Sequence, residues 1–193
     1  KEYEEILDVV ETDSYRQVGT GASMQALPLQ ASSNYSYTQQ IFLSNEMGGA
    51  KTIYSLSFDY SGNETEEVQR YVKIYMANTE KSLFSSYYDF MPLSNMTKVF
   101  SGIMTIPAEA SWATIVLETP FVYDGTSNLL LAVFDNSGTS DAERLFNCSE
   151  SEESLSVSIS ESDYINIANS FLYGVRMYIR SNVRFGVEEI APV

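Results

Sequence analysis

Apolar and polar residues alternate along most of this chain with the period of two that is typical of β-strands. The clearest case is at 155–160, where Leu155, Val157 and Ile159 alternate with three serines. Turn residues recur roughly every 8 to 15 residues, a spacing that favours a β-sandwich over βαβ units. The pattern predicts roughly nine to eleven short strands and no helix longer than about two turns. The strands that it marks most clearly are 36–43, 53–60, 71–76, 98–106, 112–118, 129–134, 143–148, 155–160, 175–180 and 182–187.

The unbroken apolar run at 129–134 organises the rest of this pattern. Six residues are too few for a confident helix, and turn residues close both ends, with Asp124-Gly125 before the run and Asn136-Ser137-Gly138 after it. We therefore predict a strand that is buried on both faces at the centre of a sheet. Together the strands predict an all-β fold with two antiparallel sheets.

The same pattern predicts three finer features of the structure. Alternation at 53–60 predicts that Tyr54 shares a face with Leu56, Phe58 and Tyr60. Pro107 and Pro120 are predicted at strand boundaries, where a missing N–H is tolerated. The longest irregular stretch, 78–96, predicts a loop of the length that is more often functional than idle.

The first 18 residues differ from the remainder because acidic side chains crowd them. They predict a linker, a short helix or an edge strand added to the sheet, with Gly19 and Gly21 marking the start of a sandwich domain at 19–193. Residues 1–5 are polar and contain no signal peptide, which agrees with a processed form of an exported protein.

Charge and hydropathy narrow the classes of partner. The net charge is −15, from 26 acidic and 11 basic residues, so the chain repels phosphate backbones and nucleic acid is not an expected partner. The same acidity is compatible with calcium, or it serves only solubility. No apolar run approaches the roughly 18 residues of a membrane helix, so we expect a protein that does not span a membrane.

Residue usage removes most catalytic chemistries. The chain has no histidine, which excludes Ser-His-Asp and Cys-His catalysis as well as histidine-based zinc sites. Its one cysteine, Cys148, cannot form an internal disulfide and is predicted to be a small buried hydrophobe. Paired carboxylates remain as a glycosidase option, although the acidic turn reads as a solvated loop; the candidates are Glu150, Glu152, Glu153, Glu161 and Asp163.

Four oxygen-bearing residues flank the central run and could supply ligands to a calcium ion: Asp124, Asn128, Asp135 and Asn136. The alternative is turn chemistry, since Asp and Asn hydrogen-bond their own backbone. Of the four, Asp135 is the stronger candidate, because it ends a central strand and its side chain must find partners.

Tyrosine is abundant, with 14 in the chain. Strand phasing predicts outward or loop positions for Tyr35, Tyr37, Tyr71, Tyr75, Tyr87, Tyr88 and Tyr164. Such rings could stack on sugars or anchor a protein partner, or they could simply suit half-exposed strands. The predicted ligand-binding residues are Tyr35, Tyr37, Tyr87, Tyr88 and Asp89, with the cluster 87–89 in the long loop foremost.

Three stretches of the chain resemble a known family. They are 34–42 (Asn-Tyr-Ser-Tyr-Thr-Gln-Gln-Ile-Phe) with 46–49 (Glu-Met-Gly-Gly), 120–125 (Pro-Phe-Val-Tyr-Asp-Gly) with 128–136, and 181–186 (Ser-Asn-Val-Arg-Phe-Gly). Together they resemble the adhesin-type modules of secreted and cell-surface proteins from Gram-negative gut and oral bacteria, the cleaved-adhesin domains of gingipain haemagglutinins, over roughly 19–187.

The resemblance implies a jelly-roll β-sandwich of the galactose-binding-domain-like type, export to the cell surface or medium, and a larger multidomain parent. It also implies a non-catalytic adhesion or carbohydrate-binding function, with a glycan or a cell-surface protein as partner and, in some relatives, structural calcium. A structural accessory domain of a secreted enzyme is the first alternative, and a glycoside hydrolase with paired carboxylates is the second.

Overall fold

The computed structural model describes residues 13–188, whose regular secondary structure is almost entirely β-strand. The elements are β1 (Asp13–Val18), β2 (Ser23–Gln25), β3 (Tyr35–Phe42), α1 (Ser44–Met47), β4 (Lys51–Tyr60), β5 (Val68–Thr79), β6 (Thr97–Ile106), β7 (Ser111–Tyr123), β8 (Asn128–Asp135), β9 (Phe146–Glu150), β10 (Ser156–Glu161), β11 (Val175–Met177), β12 (Ile179–Ser181) and β13 (Val183–Glu188). The predicted all-β class is confirmed, and the one α-helix in this described part of the chain is a single turn.

The strands form two antiparallel sheets. The first sheet has the order β1-β13-β4-β9-β12, with β7 also paired to β4 and β2 to β9. The second sheet has the order β11-β10-β3-β8-β5-β6. The inner faces of both sheets contribute to one apolar core, in which Phe42 of the second sheet meets Phe185 of the first edge-to-face at 5.0 Å between ring centroids. This is the packing of a β-sandwich.

The central strand is β8, as the unbroken apolar run predicted. It lies between β3 and β5, and all of its residues from Leu129 to Asp135 are buried. Leu129, Leu131 and Val133 point into the core between the sheets. Leu130, Ala132 and Phe134 belong to a second apolar cluster on the opposite face. A strand with both faces covered needs apolar side chains at every position, which explains why the run shows no alternation.

Two long loops cover that opposite face of the second sheet. Phe84 comes from the loop after β5, and Ile165 and Ile167 come from the loop after β10; all three are buried. Tyr37 and Tyr75 lie beneath these loops and are buried too. The prediction that these two tyrosines point outward is therefore wrong, because period-two alternation separates two faces without revealing that loops close over one of them.

A bulge between β4 and β7 changes the predicted facing of Tyr54. The register shifts between Ile53 and Ser55, so that Ile53 faces the core while Tyr54 lines the outer surface. The predicted common face of Tyr54 with Leu56 is thus wrong. Pro120 lies within β7 at this irregularity rather than at its boundary, where the interrupted ladder tolerates a residue without N–H.

Two more segments differ from the sequence pattern. The predicted single strand 175–180 consists of β11 in the second sheet and β12 in the first, separated by Tyr178. At the start of the described chain, β1 pairs with β13 at the edge of the first sheet. The rest of the predicted N-terminal segment, 1–12, lies outside the described residues.

Between residues 13 and 188, no helix has the length and apolar character needed to cross a bilayer.

Candidate functional site

An open groove of about 410 Å³ crosses the outer face of the first sheet, over β1, β13, β4 and β7. Cross-strand register brings its residues together. Ser57 of β4 lies opposite Arg184 of β13 and Thr114 of β7, and Ser55 lies opposite Gly186 and Val116. These two rows of short side chains form the centre of the groove, which we call the sheet-face groove.

The floor of the sheet-face groove is small and rich in hydroxyl groups. Ser57 Oγ and Thr114 Oγ1 are 2.7 Å apart and share a hydrogen bond. A side chain at position 186 would be crowded, since a Cβ there would lie 1.9 Å from Ser55 Oγ. Glycine at 186 therefore keeps the floor low beneath Tyr15, its neighbour across the β1–β13 ladder.

Aromatic rings form the walls of the groove. Tyr15 on β1 and Trp112 on β7 stand on either side of Arg184. The guanidinium carbon of Arg184 lies 4.3 Å from the Tyr15 ring centroid and 4.1 Å from that of Trp112, and its Nε donates a hydrogen bond of 3.0 Å to Gln17 Oε1. Both distances are well inside the cation–π range of about 6 Å. The two ring contacts and the hydrogen bond to Gln17 restrain the Arg184 side chain.

The charge of the groove differs from that of the chain as a whole. Arg184 is the one charged side chain among the lining residues, which are Ser14, Tyr15, Tyr54, Ser55, Ser57, Trp112, Thr114, Val116, Arg184, Gly186 and Val187. The chain carries −15 overall, so the groove is a local positive site on an acidic protein.

The predicted loop cluster at 87–89 contributes to a second exposed surface. The Tyr173 ring lies 5.8 Å from Tyr87 and 5.1 Å from Tyr88, centroid to centroid, and Phe171 and Val175 are exposed beside them in sequence. We call Tyr87, Tyr88, Phe171, Tyr173 and Val175 the tyrosine patch. Val175 begins β11, the strand at one edge of the second sheet.

Asp89, predicted beside these tyrosines as a ligand residue, makes internal contacts. Its carboxylate pairs with Lys81 and accepts hydrogen bonds from the backbone N–H and the hydroxyl of Ser85. Burial works against ionisation, but these bonds from Lys81 and Ser85 hold the pKa of Asp89 below its usual value. Asp89 thus fixes the loop that carries Tyr87 and Tyr88.

The remaining two predicted ligand-binding tyrosines are not part of this patch. Tyr35 is half-buried and contacts Tyr164 edge-to-face at 5.8 Å. Tyr37 has none of its surface exposed and stacks on Phe90 at 5.9 Å, and burial raises its pKa to about 12. Tyr37 cannot contact a ligand at the surface, so that assignment is wrong.

The four predicted calcium ligands do not form one site. Asn128 and Asp135 are the two ends of β8, about 23 Å apart at roughly 3.3 Å per residue. Asp124 accepts hydrogen bonds from the backbone N–H groups of Thr126 and Ser127, the turn geometry that was the alternative. Asn128 accepts from the Ser44 N–H. At the other end of β8, the Asn136 N–H donates to the Tyr71 carbonyl oxygen.

Asp135 is buried in an ion pair instead. Its Oδ2 accepts a 2.7 Å hydrogen bond from Arg70 Nε, and its Oδ1 accepts from the backbone N–H and the hydroxyl of Ser137. Burial raises the pKa of Asp135, while Arg70 and Ser137 act in the opposite direction. With both oxygens occupied, this carboxylate does not fit a calcium ion. Residues 13–188 contain no cluster of three or more His, Cys, Asp or Glu side chains suited to a metal ion.

The candidate catalytic carboxylates are all exposed. Glu150 ends β9 in the first sheet, and Glu161 ends β10 in the second. Glu152 and Glu153 lie in the turn that follows β9, and Asp163 lies in the loop after β10. None of the five lines the sheet-face groove.

The sheet-face groove itself was missed by sequence reasoning. Its lining comes from four strands that are distant in the chain, and only the register places Ser57 beside Arg184 and Thr114. Two signals were visible in the sequence: Trp112 is the single tryptophan, and Ser55 and Ser57 occupy alternate positions of 53–60, opposite in facing to Leu56 and Phe58. Neither signal shows that the two belong together.

No family model and no curated protein matches this chain.

Proposed function

We propose that this protein is a non-catalytic carbohydrate-binding module that holds a saccharide in the sheet-face groove. The observation that carries the proposal is the hydroxyl-bearing floor of Ser55, Ser57 and Thr114 between the aromatic walls of Tyr15 and Trp112. A sugar ring presents an apolar face and a rim of hydroxyl groups, and this groove offers a counterpart to each.

The physical basis is the division of labour between walls and floor. Tyrosine and tryptophan provide large apolar surfaces with a polar tip, and they lose little conformational entropy on binding. The floor hydroxyls both donate and accept hydrogen bonds, as sugar hydroxyls do. A volume of about 410 Å³ lies within the size range of small-molecule sites.

The position of the site also supports binding. The floor and both main walls stand on strands of one sheet, and Arg184 is fixed between two rings. Side chains on a paired sheet need little reorganisation to receive a ligand, which lowers the cost of association.

The wider setting that we propose rests on the family resemblance. In it, the sandwich is a jelly-roll of the cleaved-adhesin kind, exported and acting at the cell surface or in the medium as part of a larger adhesive protein. The proposal places no calcium ion at 124–136, since Asp135 is engaged by Arg70.

A glycan array with three proteins tests this function. Wild type should bind a defined set of glycans, and Trp112→Ala should lose that set. Tyr71→Ala is the matched control, because Tyr71 is an exposed aromatic residue on β5 of the other sheet and should leave binding intact. Absence of glycan binding by folded wild type, or equal binding by Trp112→Ala, would contradict the proposal.

The tyrosine patch supports a second candidate function, an accessory domain that docks onto a protein. Exposed aromatic residues are enriched at protein interfaces; the rings of Tyr87 and Tyr88 contact that of Tyr173, and Phe171, two residues before Tyr173, is 84% exposed. Under this function, the double variant Tyr88→Ser/Phe171→Ser should weaken capture of the flanking domains of the parent protein, while Trp112→Ala should not. The opposite pattern would favour the sheet-face groove.

A further inference from the structure

We propose that the sheet-face groove selects acidic saccharides, with the carboxylate of a uronic-acid-type sugar bound to the guanidinium of Arg184. This inference rests on the proposed carbohydrate-binding function and adds the chemical class of the ligand. Its basis is a planar cation held at the centre of a groove whose lining contains no carboxylate.

Arg184 has hydrogen-bonding capacity to spare. A guanidinium carries five N–H donors, and Arg184 Nε is engaged by Gln17 at 3.0 Å. Among the side chains described, those of residues 14–187, its two terminal nitrogens have no hydrogen-bond acceptor and no ion-pair partner. In this respect Arg184 differs from two buried arginines, Arg70 and Arg180, which pair with the carboxylates of Asp135 and Glu46.

The stacking geometry prepares Arg184 for a flat anion. The ring centroids of Tyr15 and Trp112 lie 4.3 Å and 4.1 Å from the guanidinium carbon, and the two terminal nitrogens remain as donors for a ligand in the groove. A planar guanidinium matches a carboxylate through two parallel N–H···O bonds, and such charge-assisted bonds are roughly twice as strong as neutral ones. Because contacts with Tyr15, Trp112 and Gln17 already restrain Arg184, binding has less side-chain entropy to remove.

Register places the sugar-binding floor next to this cation. Ser57 lies directly opposite Arg184 on the neighbouring strand, about 4.8 Å away across the ladder, and Thr114 follows on the next strand. A sugar whose carboxylate meets Arg184 therefore lies over the two hydroxyl groups. Trp112 lies two residues before Thr114 on the same strand and lines the same groove, so the part of its ring that Arg184 leaves uncovered borders the bound sugar.

The charge of the whole protein narrows the ligand further. A net charge of −15 repels a densely charged polyanion, whereas an oligosaccharide with spaced carboxylates gains the local contact at a smaller long-range cost. We therefore expect uronic-acid oligosaccharides to bind better than heavily sulfated chains.

A matched pair of ligands tests the inference by calorimetric titration. One is an oligogalacturonate of four to six sugars, and the other is the same oligosaccharide after chemical reduction of its carboxylates to alcohols. Wild type should bind the acidic form about tenfold or more tightly than the reduced form, as expected for gaining charge-assisted hydrogen bonds. Added salt should weaken binding of the acidic form and leave the reduced form nearly unchanged.

Variants of Arg184 separate charge from stacking. Arg184→Gln should bring the two affinities together by weakening only the acidic ligand. Arg184→Lys keeps the charge but lacks the planar fork, and it should retain part of the preference. Each variant is first checked by urea unfolding, and if Arg184→Gln does not fold, the lysine variant and the salt series still decide the outcome.

The results distinguish this inference from the proposed function. Equal or weaker binding of the acidic ligand by wild type would overturn the acidic preference and leave a neutral-sugar module standing. A preference that persists unchanged in Arg184→Gln would also overturn it. Binding of neither ligand, together with an array on which no glycan binds, would remove the carbohydrate function itself.

Discussion

The buried pair Arg70–Asp135 should be one of the most sensitive points of the fold. Both side chains are 0% exposed, and Arg70 makes further hydrogen bonds to the Thr139 and Ser33 carbonyl oxygens and to Asp141. Through these contacts, one side chain on β5 ties the end of β8 to the loops on either side. Removing one charge leaves the other buried with incomplete compensation, which typically costs about 3–5 kcal/mol.

We expect Asp135→Asn to lower the free energy of unfolding by about 3 kcal/mol, the lower end of that range, because Asp141 and two carbonyl groups still face Arg70. For a domain of this size, that corresponds to a decrease in Tm of roughly 6–12 °C. Arg70→Met should cost about 3 kcal/mol or more, since it leaves the carboxylate of Asp135 without its cation.

Urea unfolding of both single variants and the double variant measures the coupling. The double variant should be less destabilised than the sum of the singles by about 2 kcal/mol, because neither charge is then left alone. Asp163→Asn is the control, an exposed carboxylate whose change should stay within about 0.5 kcal/mol. Additive effects of the single variants, or a cost below about 1 kcal/mol for Asp135→Asn, would show that the pair is not the coupled, sensitive point of the fold that we expect.

Three further predictions concern stability and reactivity. Burial opposes the charge of Glu46, but Arg180 and the Leu43 backbone N–H hold the pKa of Glu46 below the ordinary 4.5. Its contribution to stability is therefore complete above about pH 4.5 and is lost as the pH falls through the lowered folded value. Urea titrations should show a smaller acid-induced loss of unfolding free energy in Glu46→Gln than in wild type, and equal losses would contradict this. Gly125→Ala should destabilise by about 2 kcal/mol or more, because φ is +83° and a Cβ would lie 2.4 Å from the Ala50 backbone nitrogen. Gly49→Ala, at φ +96° with open space around the Cβ, should cost only about 1 kcal/mol. Similar Tm decreases for the two variants would be inconsistent with this difference. The Cys148 thiol is fully buried with its pKa raised to about 12, so an aromatic disulfide reagent should label it only after unfolding, and rapid labelling of the native protein would disprove its burial.

Local sequence pattern was sufficient for most of the strands and for the class of fold. The run 129–134 predicted the central position of β8 because burial on both faces forces a distinctive composition. The alternation at 155–160 likewise predicted β10. These signals are carried by consecutive residues, so they need no knowledge of distant parts of the chain.

Facing and function depend on distant partners, and here the sequence was a weaker guide. Tyr37 alternates as an outward residue would, yet loops from far along the chain bury it. Tyr54 changes face because β4 and β7 meet with a bulge. Asp135 has the sequence context of a metal ligand, but its carboxylate pairs with Arg70, which lies 65 residues earlier in the chain. The sheet-face groove depends in the same way on the register between four strands.

Trp112 offers the most direct test of saccharide binding in the sheet-face groove, because it is the single tryptophan of the chain and stands in the groove wall. Its fluorescence can be followed while a saccharide identified on the array is added, with acrylamide quenching measured at each step. Saccharide binding in the sheet-face groove should give a saturable change in Trp112 emission and protection from the quencher, both with the dissociation constant found by calorimetry. If calorimetry shows saturable binding while Trp112 emission and quenching stay unchanged, the ligand binds elsewhere and the sheet-face groove is not the saccharide site.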